Sequence, residues 1–490
     1  MIRKPYVLMA PADRAGGSQY SFHKAPPLAI ERLTDVIRVL QPSEHTCTED
    51  AAVTGFTTDS RAVAPGQIYV AVEGQRVDGH RFTAEAAKRG AIACLVRSLD
   101  KAEPNRNCIA VGDTIRALGF LAAAHRRAMK TKILGITGSV GKTTTKEITA
   151  SVLNTTFHTR KSEGNYNSTI GLPMEILKLK PEDEWMVAEM GMSYPGEIRQ
   201  LMEIAQPDAA LWTTVHAVHM ANFASLEEIA KAKAEIVDYL GKDKILIYNA
   251  DDPLVSRFSA PFRGKKFTYG FFDPQTDVRA RMEPFSDWDA TPFHLEFGNG
   301  KHQLLSLPLP GRFNVNNAVA ACAAGLALGV SGSDLVSALR CIQPSAQRSK
   351  LYAYDGDVLV VDDTYNASPV AVENVLRSFA PLSPRYYRWL ILGDMLELGD
   401  EEHDIHRKLG ESIAGYGFDQ VTLIGTLSEF TYEGLMAHKR PNCKVEHFPS
   451  VNEAAAALSG PIPEGSRIWC KASRGIRLER FVQALTAKLA

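Results

Sequence analysis

No apolar run in the sequence is long enough to span a bilayer, so a membrane-inserted helix is not expected. Cysteines are few: Cys47, Cys94, Cys108, Cys322, Cys341, Cys443 and Cys470 make an odd number, and no two are spaced C-x-x-C. A disulfide scaffold, a zinc ribbon and a dithiol redox site are therefore not expected; isolated thiols in a reducing cytosol are. Net charge is only −1, and no overall basic field invites nucleic acid or an anionic membrane surface. A solenoid-length repeat and a low-complexity tract are missing as well. The opening MIRKPYVLMAPADRAGGS is basic, but its apolar stretch is too short for a secretory signal. Residues 1–27 are read as a poorly ordered extension, with Met9 as an alternative start.

Apolar residues at 45% and charged residues at 23% form a globular profile, and 490 residues suffice for roughly two to four domains. Three are expected. Residues 28–128 mix strand-like GQIYVAVEG and AIACLV with helical FTAEAAKRG and RALGFLAAAHRRAMK, a small α/β unit. From 129 to 348, KILGIT, EWMVAEM, AALWTTV and DKILIYNA alternate with longer helical stretches. That alternation predicts a mostly parallel sheet flanked by helices. Within it, FHLEFGNGKHQLLSLPL reads as a hairpin around Gly298-Asn299-Gly300. Residues 349–490 resume the α/β pattern with DVLVVDD, RWLILGDM, QVTLIG and RIWCKAS.

The strongest local signal is KILGITGSVGKTTTKEITASVL, residues 132–153. A strand runs into Gly138, Ser139, Val140, Gly141, Lys142, Thr143 and Thr144, and a helix starts at once. Glycines let the backbone turn tightly and aim N–H groups at phosphate oxygens. The helix N-terminus adds partial positive charge. Lys142 is placed to reach the β- and γ-phosphates and the Thr143 hydroxyl to ligate Mg²⁺. Gly135 stands one residue too early for the general G-x-x-x-x-G-K-[ST] spacing, with Ile136 in the expected place. The motif predicts a nucleoside triphosphate and names no reaction.

Three further residues, Glu189, His219 and Lys233, could complete a Mg²⁺ site. Glu189 ends the run WMVAEM at a C-terminal strand edge, where ligands gather in open α/β sheets. His219 follows AALWTTV within HAVHMANFAS; for the nearby His216 an ordinary core or surface role is preferred. The helix SLEEIAKAKAEIVDYL is predicted to be capped by Ser225, with Glu228 completing a capping box. Its apolar stripe is Leu226, Ile229, Ala230, Val237 and Leu240, and Lys233, unlike Lys231, falls on that stripe. An inward lysine ordinarily snorkels or pairs with an acid. Alternatively, desolvation depresses its pKa and leaves an amine able to take up CO₂ as a carbamate.

At this point the sequence resembles the Mur ligases, ATP-dependent amide ligases of peptidoglycan precursor synthesis, over nearly the whole chain from about residue 30. ITGSVGKTTTKE, SEGNYNSTIGLP (162–173), EMGMSYPGEI (189–198), AKAKAEI, NADDP (249–253) and GRFNVNNAVAA (311–321) carry the resemblance in fixed order. In the first unit, TTDSRAVAPGQIYVAVEGQRVDGHRF (57–82) matches, and in the last VVDDTYNASP (360–369), LGDMLELG (392–399), His406 and KASRGIRLE (471–479). The last-domain motifs resemble members that add D-alanyl-D-alanine to UDP-N-acetylmuramoyl-tripeptide. The D-N-P-R motif of the relative that adds a single third amino acid is missing there.

The resemblance implies a UDP-binding N-terminal domain, a central P-loop ATPase domain and a Rossmann-like C-terminal ligase domain. It implies catalytic Lys142, Glu189, His219 and Lys233, with Lys233 carbamylated, and two Mg²⁺ ions on Thr143, Glu189, His219 and the modified Lys233. ATP is expected at residues 138–144, Asn314, Asn317 (near adenine), Arg348 and Asp363. Ser60, Asp78, Gly79 and His80 are expected to meet the UDP moiety, Asn165 and Asn167 the muramoyl substrate, and Tyr365 and Asn366 ATP or the dipeptide. A cytoplasmic monomer, with closure of the last domain during catalysis, completes the expectation. Four departures stand out: Ser168 for asparagine, TTVHAVHMANFAS for T-N-x-G-x-A-H, Phe313 for histidine and Ala472 for glycine. A nucleotide-hydrolysing switch and a non-catalytic nucleotide-binding regulator share only the phosphate loop.

Overall fold

The computed structural model describes residues 20–489 apart from 75–76, 103–106, 219–221, 299 and 439. Three sheets follow one another along the chain. The first has the order Glu44–His45, Cys108–Ala110, Ala93–Val96, Gln67–Val70, Gly55–Thr57, and is parallel except at Glu44–His45. Within residues 20–27, expected as part of an extension, Tyr20, Phe22 and Ala25 pack instead into the core. Tyr20 and Phe22 are each 2% exposed, and Arg116 Nε donates to the Tyr20 carbonyl at 2.7 Å. Met9 lies outside the described residues.

The central sheet has nine strands. Their order is His302–Leu307, Thr291–Phe297, Val278–Met282, Lys265–Gly270, Ile245–Asn249, Ala209–Trp212, Lys132–Thr137, Trp185–Glu189, Thr159–Lys161. The strands from 132 to 282 pair in parallel; Thr291–Phe297 runs antiparallel to Val278–Met282 and forms the expected hairpin with His302–Leu307. Fully buried strands such as Trp185–Glu189 read as continuous apolar runs because helices cover both faces. The alanine-rich helix Arg312–Leu328 packs tightly on the helix Lys142–Leu153. A Cβ on Gly325 would come within 2.5 Å of the Val152 side chain.

The third sheet runs Lys350–Tyr354, Val358–Asp363, Ser466–Lys471, Tyr387–Gly393, Gln420–Ile424, Lys444–Phe448, antiparallel only at its first strand. A short excursion of the central unit, between Val278–Met282 and Thr291–Phe297, plugs into the core beneath it. Trp288 is fully buried there, edge-on to Phe379 and Trp469, and its Nε1 donates to the Ser378 carbonyl at 2.9 Å. Beside it the Asp287 carboxylate takes two 2.6 Å bonds from the buried Arg467 guanidinium. Stranding a buried charge of this kind costs about 3–5 kcal/mol. The last sheet is thus attached to the central unit twice, through this plug and through the linker before Lys350. Among the described residues no helix is long and apolar enough to cross a membrane.

Candidate active site

The phosphate loop joins the central strand Lys132–Thr137 to the helix Lys142–Leu153, in register beside Trp185–Glu189 and Ala209–Trp212. Gly138 and Gly141 have φ of +147° and +86°, the left-handed region that suits glycine. Neither position has room for a side chain: a Cβ would fall 1.9 Å from Thr213 Oγ1 at Gly138, and 2.4 Å from Asn317 Oδ1 at Gly141. Neighbouring strand ends brace the loop. Thr213 Oγ1 donates to the Val140 carbonyl at 2.8 Å, and Ser139 Oγ bridges the His216 N–H and carbonyl at 2.8 and 3.0 Å. His216 therefore serves the loop through its backbone, and burial pushes its imidazole pKa down.

Lys142 bends back onto its own loop, donating to the Gly138 and Ser139 carbonyls at 2.8 and 3.3 Å. Burial lowers its pKa; the Glu189 carboxylate opposes that fall and the Arg348 guanidinium adds to it. Glu189 is 2% exposed at the end of its strand. Its Oε1 accepts from Asn167 Nδ2 at 2.8 Å, while its buried Oε2 has no partner. The Thr143 hydroxyl accepts from Arg348 Nη2 at 3.2 Å. An orphaned carboxylate oxygen and a threonine hydroxyl lining one cavity are a donor set that fits a hard cation such as Mg²⁺. No group of three acidic, histidine or cysteine side chains suited to a metal occurs among the described residues, and His219 lies outside them.

Lys233 sits on the helix Leu226–Asp238, capped by Ser225 Oγ accepting from the Glu228 N–H at 3.2 Å. Glu228 returns its bond to the Ala224 N–H rather than to the cap residue, at 2.8 Å. Leu226, expected on the buried stripe, is 40% exposed, because the first helical residue lies off the packed face. Lys233 is 1% exposed and has neither a hydrogen bond nor an ion pair among the described residues. Burial, reinforced by the Lys142 charge, drives its pKa well below the ordinary lysine value.

One cavity of about 1130 Å³ connects the central and last units. It is lined by residues 139–144, Asn165, Asn167, Glu189, Asn317, Arg348, Asp363, Tyr365 and Asn366. Arg348 stacks over the Tyr365 ring, 3.9 Å from its centroid. Two non-glycine residues of positive φ, Gln347 (+62°) and Ser349 (+51°), bracket Arg348, and such strain gathers where geometry serves function. Asp363 is already committed: Lys471 Nζ stands 2.5 Å from its Oδ2, and the Ser349 N–H donates to its Oδ1 at 3.2 Å. Asn317 lies against the phosphate loop, its Oδ1 3.3 Å from Thr145 Oγ1.

Other expected residues stand elsewhere. Asn314 is 1% exposed and caps the Pro310 carbonyl at 2.8 Å, turned into its own helix start; Asn316 and Asn317 line the cavity instead. Ser60, Asp78, Gly79 and His80 belong to the first unit and do not line the cavity. Both His80 nitrogens are committed, Nδ1 to Asp78 at 2.5 Å and Nε2 to the Arg97 N–H at 2.9 Å, so the ring shapes its turn. Ser60 Oγ donates to Glu85 at 3.0 Å. Sequence reasoning assigned no role to Lys471, Arg474, Arg312 and the 72%-exposed Phe272, all at the cavity wall. Lys471 and Arg474 carried a signal in the motif KASRGIRLE and Arg312 one in GRFNVNNAVAA; Phe272 carried none.

Three sequence profiles match the chain: Mur ligase family, catalytic domain, over 52–126; Mur ligase middle domain over 136–325; and Mur ligase, glutamate ligase domain, over 347–474. The UDP-N-acetylmuramoyl-tripeptide--D-alanyl-D-alanine ligase of Bacillus subtilis is 35% identical over 438 residues, 89% of this chain and 94% of that protein. A crystal structure of MurF from Acinetobacter baumannii superposes with a TM-score of 0.81 at 27% identity, covering 94% of this chain and all (100%) of that one. The MurF ligase of Thermotoga maritima in complex with ADP gives 0.77 at 27% identity, covering 89% and 97%.

Proposed function

The chain belongs to the Mur ligase family, and we propose from this premise that its cavity joins D-alanyl-D-alanine to UDP-N-acetylmuramoyl-tripeptide at the expense of ATP. The observation that carries the reading is the single cavity in which the phosphate loop and Glu189 face Arg348, Tyr365, Asn366 and Lys471 of the last unit. A nucleotide hydrolase needs only the first wall.

A carboxylate is inert toward amines because its oxide is a poor leaving group. In the reaction the tripeptide's terminal carboxylate oxygen attacks the γ-phosphorus, the bond to the β-phosphate oxygen breaks, and ADP leaves an acyl phosphate. The dipeptide's amino nitrogen then attacks the acyl carbon and loses a proton. The C–O bond breaks, releasing phosphate and leaving the amide. The chain's task is to position anions and neutralise their charge. On this reading Lys142 swings off the Gly138 carbonyl to meet the β- and γ-phosphates, and Arg348 exchanges Thr143 for phosphate. Glu189 and Thr143 would hold Mg²⁺, which when bound offsets the mutual repulsion of carboxylate and triphosphate. Lys233, buried without an acid among the described residues, is the residue whose carbamate would supply a further oxygen ligand; His219 belongs to the same reading. Ser60 and residues 78–80 shape the UDP end of the first unit, Asp363 with Lys471 the ribose side. The reaction belongs in the cytosol, where ATP and nucleotide sugars are found.

The test is ATP-dependent phosphate release from the purified chain with UDP-N-acetylmuramoyl-tripeptide, comparing D-alanyl-D-alanine with single amino acids. Release and pentapeptide formation only with the dipeptide are expected. Addition of a lone diamino acid to the UDP-linked dipeptide precursor, with D-alanyl-D-alanine inert, overturns the reading in favour of the preceding ligase.

A further inference from the structure

Lys146 lies one helical turn beyond Lys142 and is completely buried. A buried ammonium needs oxygen partners, and this one has three. It donates to the Ser162 carbonyl at 2.7 Å and the Gly164 carbonyl at 3.2 Å, and Glu147 Oε1 is 3.2 Å away. Both carbonyls belong to the strap 162–167, which leaves the edge strand Thr159–Lys161 and reaches the cavity at Asn165 and Asn167. The strap holds Glu189 at two points. Ser162 Oγ accepts from the Glu189 N–H at 3.1 Å, and Asn167 Nδ2 donates to Glu189 Oε1 at 2.8 Å. The Gly191 N–H donates to the Asn167 carbonyl at 2.8 Å, locking the strap beside the carboxylate's own loop. A carboxylate only accepts, so the Asn167 amide nitrogen must be the atom that faces it.

The consequence is directional. With Oε1 taken by Asn167, only Oε2 of Glu189 is left buried and unpartnered. We infer that Lys146 and Asn167 are positioning residues: through the strap they hold the Glu189 carboxylate in the one orientation that offers a bare oxygen to the nucleotide's metal ion. They also couple that orientation to Asn165, so that the nucleotide side and the muramoyl-substrate side of the cavity are set by one element. The inference rests on the ligase reading above for the identity of the nucleotide.

The experiment measures binding of β,γ-imido-ATP by calorimetry with Mg²⁺ and with EDTA, in the wild type, Asn167→Ala and Lys146→Met, alongside ligase kinetics. Partners one bond removed from a metal typically contribute about 10–100-fold to affinity or activity. The Mg²⁺-dependent gain in analogue affinity is expected to fall by about that factor in both variants, while affinity in EDTA stays at the wild-type value. Likewise kcat falls and KM for D-alanyl-D-alanine does not move. Lys146→Arg, which keeps the donors, recovers part of the loss. If the Mg²⁺-dependent gain is intact in Asn167→Ala, the inference is overturned, whatever Lys146→Met does to folding. Equal loss of affinity with and without Mg²⁺ also overturns it, since that marks a general structural role. Failure of the wild type to use D-alanyl-D-alanine defeats the functional reading separately, because the calorimetry does not need the acceptor.

Discussion

Two helices of the central unit each bury a lysine, and the surroundings of the two differ completely. On Lys142–Leu153, Lys146 has two carbonyls and a carboxylate within 3.2 Å. On Leu226–Asp238, Lys233 has no partner among the described residues and the Lys142 charge nearby. Burial therefore does not by itself assign a role to a lysine. Where the oxygens are present, the side chain ties backbone segments together. Where they are missing, the charged form is disfavoured and the nucleophilic amine is exposed to chemistry.

The comparison breaks most readily at Lys233. Lys233→Ala is expected to lower turnover by about 10³-fold or more, the scale on which a preorganised charge beside reacting anions acts, with partial rescue by acetate in a phosphate-release assay. Full activity without rescue removes the carbamate role. A sharper contrast comes from ¹³C-bicarbonate: a carbamate carbon signal is expected in the wild type and in Lys146→Met, and is lost in Lys233→Ala. Lys146→Met, by contrast, leaves two carbonyls without their donor, at about 1–3 kcal/mol each, so its thermal midpoint drops while the signal survives.

A smaller effect has the opposite sign in stability. Lys233 has its folded-state pKa lowered, so between that lowered pKa and the unfolded value of about 10.4 the unfolded chain holds more protons than the native one, and stability rises with pH. In CO₂-free buffer the wild-type thermal midpoint is expected to climb toward Lys233→Met between pH 7 and pH 10, with the variant more stable at pH 7. A parallel pH dependence in both chains contradicts the assignment. Smallest of all is Lys231→Ala, two positions away but solvent-exposed, expected to change stability by less than about 0.5 kcal/mol in urea denaturation.

Much of this site could be read from neighbouring residues in the chain. The phosphate loop announces itself because strand, glycines, Lys142 and helix are contiguous, and Glu189 because an apolar run stops at an acid. Lys233 was legible through helical spacing, which places a side chain on a face whatever that face meets. Periodicity says less at element ends, and Leu226 is exposed for that reason. It is equally silent on His80, whose two nitrogens are consumed by Asp78 and Arg97, and on Asn314, which turns back to Pro310.

The chain's order of motifs was enough to indicate its family, its alternating α/β architecture and the residues proposed to touch a triphosphate, since each is a property of short contiguous stretches. Packing alone decided which of those residues are free. It paired Asp363 with Lys471 across 108 positions and buried Trp288 of the central unit beneath the last sheet. It also gave Lys146 its oxygens and left Lys233 with none among the described residues. The physical reason is that desolvation and hydrogen-bond satisfaction depend on whatever arrives from distant parts of the chain, and local spacing carries no record of those arrivals.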